Sequence, residues 1–159
     1  MIRDAIRGAL AGAAATYLMD LVTTGIYEAQ PAEATKLEAI GRPNGKGAVT
    51  NMVDRFETES GIAIPLERRP LVENVVHYAL GVVPGALYGV IRRWIPFARL
   101  GRGLAYGLAT FVVNDEYLNT KLGFAGPIEA YPPEAHLRGL AGHAVLGVAT
   151  ETGIQLLGG

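Results

Sequence analysis

The chemistry-bearing residues of this chain are few and regularly placed. Its only histidines, His77, His136 and His143, stand with Asp20, Asp115, Glu116 and Glu151 in stretches otherwise made of small and aliphatic residues. Imidazole and carboxylate together suit a divalent Zn, Mn or Fe ion, and helical bundles gather such ligands inward from facing helices. The same residue types also form hydrogen-bonded networks that lock helix register with no metal, because buried polar groups must be satisfied in either case. A haem b is a further option: His77 and His143 would be axial ligands, with Gly81 and Gly147 one turn away leaving room for a macrocycle. Asp20 and Asp115 would crowd negative charge against that porphyrin. Proton or ion passage along the acid–histidine layer is another use of these groups.

Signatures of soluble enzymes are missing. There is no nucleophile elbow and no dinucleotide fingerprint, and Ser60 is the only serine. The run from Gly41 to Gly47 imitates a phosphate loop but lacks a Ser or Thr after Lys46. Zero cysteines exclude disulfides, thiolate metal sites and cysteine nucleophiles. A net charge of -1 argues against a nucleic-acid partner, which calls for a basic excess.

The elements that must position the polar residues are long and apolar. Of 159 residues 50% are hydrophobic, only 18% are charged and 21 are glycine, a balance that points to helices packed in a bilayer. Four segments, 5–27, 71–91, 103–122 and 137–157, are each close to the ~20 residues that cover a ~30 Å hydrocarbon core. Asp20, His77, Asp115 with Glu116, and His143 with Glu151 interrupt them in turn. Polar groups at that depth are costly against lipid and are expected to face the interior. Gly8 and Gly12, then Gly81, Gly85 and Gly89, then Gly103 and Gly107 recur at four-residue spacing. Gly147 adds a small residue to the fourth segment. Such spacing lets helix backbones approach closely where lipid gives side-chain burial little drive. The expected fold is therefore all-α, an integral membrane four-helix bundle forming a single domain over residues 1–159. The first segment reads as a retained helix rather than a leader, because Asp4 spoils a basic n-region.

Orientation follows from arginine. Arg92, Arg93, Arg99 and Arg102 occupy one short connection with no acid, and Arg3 and Arg7 lie at the N-terminus. Both termini are expected on the cytoplasmic side of a bacterial inner (plasma) membrane. Arg92, Arg93 and Trp94 read as a lipid-headgroup anchor. The 28–70 connection is then outside and partly helical: Pro31 opens a short helix stopped by Gly41 and Pro43, and a second fits 48–59 with Val49, Met52, Val53 and Phe56 as its apolar stripe.

A sequence echo links the halves. Arg7-Gly8, Gly12 and Asp20 correspond to Arg102-Gly103, Gly107 and Asp115; His77 and Leu80-Gly81-Val82 correspond to His143 and Leu146-Gly147-Val148. Either two pseudo-repeated helical hairpins or chance in glycine-rich helices accounts for it. The echo predicts depth: Asp20 and Asp115 fall about 21 and 18 Å from the inner end, and His77 and His143 about 8–9 Å below the outer surface, at 1.5 Å per residue. Asp20, His77, Asp115 or Glu116, and His143 should then share one layer. His136 is expected two turns above His143 and Glu151 deeper on the same face.

The strings His77-Tyr78-Ala79-Leu80-Gly81 and Gly85-Ala86-Leu87-Tyr88-Gly89, the Asp115-Glu116 pair, Tyr131-Pro132 with His136, and Gly142-His143 with Gly147 and Thr150-Glu151 resemble the YagU-like family of small bacterial inner-membrane proteins. The resemblance covers most of residues 71–157. It implies an integral membrane protein and carries over no activity, cofactor or catalytic residue. The expectation is a structural or divalent-metal-binding membrane protein. Its alternatives are an accessory subunit of a larger membrane complex, a homo-oligomer, and an ion-conducting or haem-binding bundle.

Overall fold

The computed structural model describes residues 1–159 and is helical throughout, with no strand. Helix α1 (Ile2–Ala29) leads to two short helices, α2 (Ala32–Gly41) and α3 (Ala48–Ser60), and then to α4 (Arg69–Ile91). The third rod begins as α5 (Leu104–Thr110), widens into π-helical turns over Phe111–Leu118 and closes as α6 (Asn119–Lys121). Helix α7 (Pro133–Leu156) completes the chain. Local chemistry sets these limits. Pro133 opens α7 at a position whose missing N–H costs nothing, and Gly61 ends α3 in the left-handed conformation.

Helix α1 lies along α4 and α7, and α5 lies along α7. Small and polar side chains make these seams. On α1 the buried residues are Asp4, Gly8, Ala11, Gly12, Ala15 and Thr16, spaced on one face. On α4 they are Gly81, Gly85, Tyr88 and Gly89. A Cβ at Gly8 would strike the Gly85 carbonyl, one at Gly81 would strike Thr16 Oγ1, and one at Gly89 the Asp4 carbonyl. In the other half, Gly107 would meet the His143 carbonyl, and Gly103 and Gly147 would meet each other's carbonyls. Gly103 sits at the N-cap of α5 in the left-handed region (φ 91°), so it packs from the turn and not from within a helix as expected.

Large aliphatic side chains point outward instead. Leu10, Leu18 and Leu21 on α1, Val75, Val83 and Leu87 on α4, Val112 and Val113 in the π-helical turns, and Leu137, Leu140 and Leu156 on α7 are all exposed. Two helices, α1 and α4, are long and apolar enough to cross a membrane. Helix α7 is of similar length, but Glu134, His136, Arg138, His143 and Glu151 dilute it, and the third rod changes winding midway.

One end of the molecule gathers both termini and the 92–102 connection. Arg93 Nη2 donates to Asp4 Oδ1 at 2.9 Å, and Arg99 Nε lies 3.4 Å from Glu151 Oε1. Arg92 is not a headgroup anchor. It turns inward, is only 6% exposed, and donates from Nε to Glu151 Oε2 at 2.8 Å with a second contact from Nη2 to Oε1. Trp94 stays at the surface.

Candidate functional site

At the opposite end, three histidine–carboxylate pairs line two adjoining cavities. Asp20 on α1 faces His77 on α4, whose Nε2 donates to both carboxylate oxygens at 2.9 and 3.0 Å. In the neutral ring that bond places the proton on Nε2 and leaves Nδ1, which has no partner, as an acceptor. His143 on α7 donates from Nδ1 to the Gly139 carbonyl at 3.0 Å, with Asp115 Oδ2 at 3.6 Å from the same nitrogen. Its Nε2 has no partner, although the side chain is only 5% exposed. His136 is fully engaged, with Nδ1 2.7 Å from Glu116 Oε1 and Nε2 3.2 Å from the Ile128 carbonyl. The positions matched by the sequence echo thus make matching contacts: Gly12 against Gly81, Gly107 against Gly147, Asp20 with His77, and Asp115 beside His143.

An outer cleft of about 380 Å³ is lined by Asp20, His77, Asp115, Glu116 and His136, under a rim formed by Glu38, Arg42 and Arg138. An inner cavity of about 190 Å³ lies against His77, Asp115 and His143, with Thr16, Thr110 and Asn119. His77, Asp115 and Asn119 border both spaces, so they form the neck between them. The π-helical turns carry Asn114, Asp115 and Glu116 to this neck, and local π winding is a common device for aiming side chains at a site.

Six of the seven expected site residues converge here. Glu151 does not: it lies at the other end of α7, held by Arg92, Gln155 and the Tyr88 hydroxyl, which donates to Oε2 at 2.6 Å. Eight residues of helix separate it from His143, about 12 Å, so a shared face does not become a shared site. No three of the histidine and carboxylate side chains cluster closely enough to hold one metal ion.

Sequence reading missed Asn119, Glu38 and Arg138. Asn119 is 8% exposed and its side-chain amide makes no hydrogen bond, yet it borders both spaces. Its signal was the four-residue step from Asp115. Glu38 Oε1 accepts from Arg42 at 2.6 Å and from Arg138 at 2.7 Å. Burial alone would raise the Glu38 carboxyl, but these two guanidinium bonds outweigh it and hold the group below its usual range. The Glu38–Arg42 step of four residues on a short helix was visible in sequence, whereas the reach of Arg138 across 100 residues was not.

Electrostatically, the rim is settled and the floor is not. Arg42 and Arg138 are committed to Glu38, with Arg138 also over the Tyr27 ring at 5.0 Å. Asp20, Asp115 and Glu116 have imidazoles as their only ionisable partners, and Asp115 Oδ1 also accepts from the Asn114 amide at 3.2 Å. Comparison with family models, curated proteins and solved structures finds no match, so geometry carries the functional reading.

Proposed function

We propose that this chain is a four-span α-helical protein of the bacterial inner membrane, of YagU-like type, that keeps a polar ligand cleft open to the outer face. The observation that carries this reading is its inverted side-chain distribution. Leu and Val project outward from all four long rods, while glycine, threonine, histidine and carboxylates fill the seams. In water, so much contiguous exposed aliphatic surface would drive association. In lipid the same surface is solvated, and close glycine contacts supply the packing. The arginines gathered with both termini support a cytoplasmic position for that end.

A second reading has its own support. Asp20–His77 ties α1 to α4, and Glu116–His136 ties the π-helical turns to α7. On that reading the layer only fixes helix register, as in an accessory subunit.

Membrane fractionation tests the first reading. The chain should resist alkaline extraction and leave the membrane only with detergent. Recovery in the soluble fraction without detergent would overturn it. Asp20→Ala, which removes the tie and leaves His77 without its partner, separates the two uses of the layer: a cleft built for ligand tolerates the change with little loss of stability, whereas a register lock does not.

A further inference from the structure

We propose that the neck and inner cavity bind the ammonium group of a small alkylamine, with its methylenes lying in the inner cavity. The inference deepens the cleft reading and rests on it. Its basis is a donor–acceptor imbalance in the wall. With His77 Nε2–H spent on Asp20 and His143 Nδ1–H on Gly139, each ring in its neutral form offers only an acceptor nitrogen. The side-chain donors left in the wall are the amides of Asn114, which gives one N–H to Asp115 Oδ1, and of Asn119. Thr16 Oγ1 donates to the Gly12 carbonyl and Thr110 Oγ1 to the Tyr106 carbonyl, each at 2.9 Å, so both hydroxyls offer only lone pairs. The Asp115 carboxylate adds further acceptors.

A ligand matching such a wall must be rich in donors and positively charged. An ammonium has three N–H donors and no acceptor. Asn119, a residue 8% exposed with no side-chain hydrogen bond, borders both spaces and offers its amide oxygen as a further acceptor at the neck.

Two alternatives fit less well. A metal ion requires ligands converging on one point, and no three of these side chains do. An anion would find the uncapped N-terminus of α3 at Ala48 and Val49, but a half-charge there is small beside the Asp20, Asp115 and Glu116 carboxylates. Met19, Leu80 and Leu146 supply the apolar wall for a short chain of methylenes.

Calorimetric titration of the full chain in detergent, with n-butylammonium chloride, n-butanol and zinc chloride as probes, tests the assignment. Saturable binding of one equivalent of butylammonium is expected, with none of butanol. Asp115→Asn should weaken it about tenfold or more, the scale of a lost hydrogen bond to a charged group. Asn119→Leu leaves every charge in place and should abolish binding by filling the neck. Equal or absent binding of the two organic probes by the parent chain overturns the assignment without recourse to any variant. So does stoichiometric zinc that displaces the amine. If the chain proves soluble without detergent the membrane reading falls, and the titration still decides the ligand in plain buffer.

Discussion

Arg92 and Glu151, 59 residues apart in sequence, form the most deeply buried ion pair of the molecule, at 6% and 1% side-chain exposure. The Tyr88 hydroxyl and Gln155 complete the carboxylate's shell. Glu151→Ala should therefore cost about 3–5 kcal/mol, because it leaves a guanidinium buried without its partner. The double change Arg92→Met with Glu151→Leu should recover most of that loss. Unfolding in mixed micelles measures both.

The glycine seams give a paired prediction. Gly85→Val places a side chain against Gly8 and Gly12 backbone and should cost about 3 kcal/mol or more by overpacking. Gly25 lies on the same helix as Gly8, but nothing stands within 4 Å of the Cβ it would gain. Gly25→Ala should be neutral or stabilising by about 0.5–1 kcal/mol through helix propensity. Thermal stability of the two purified variants, measured side by side, tests whether backbone approach rather than glycine itself matters.

Glu38 supplies the acid sensitivity of the rim. Its folded value lies below the usual 4.5, so its contribution is present above that pH and is lost as pH falls through the depressed value. Protection of the α2 amides, taken relative to their intrinsic exchange rate at each pH, should fall on acidification below pH 4.5. Glu38→Gln should remove most of that pH dependence and leave α2 more loosely held at neutral pH.

Topology is open to direct measurement, because the chain has no cysteine of its own. Ile62→Cys and Phe97→Cys are both at exposed positions, on the two opposite connections. A membrane-impermeant thiol reagent applied to intact cells should label the first and spare the second. The reverse pattern would invert the assigned orientation.

Local signals were legible in the sequence and distant ones were not. Pro31, Gly41 and Gly61 marked α2 and α3 nearly to the residue, because caps and breakers act within a few positions. The glycine ladder and the histidine–carboxylate layer were legible because helical spacing fixes face and depth. The π-helical winding was not, since Phe111–Leu118 carries no Pro, Gly or cap to announce it. Nor was the destination of Arg92. Charge placed it at an interface, but only tertiary packing decides that its side chain turns inward to Glu151.

The π-helical turns also act as a rotational offset. An α-helix advances about 100° per residue, so one residue more or fewer within Phe111–Leu118 re-phases everything beyond it. Deleting Val112 would keep Gly107 seated on Gly147 while swinging Asn119 and Lys121 around the rod's axis. The rod thus consists of two halves with separately set headings, one serving the packing seam and the other the neck, and the number of residues between them sets the angle at which the two are joined.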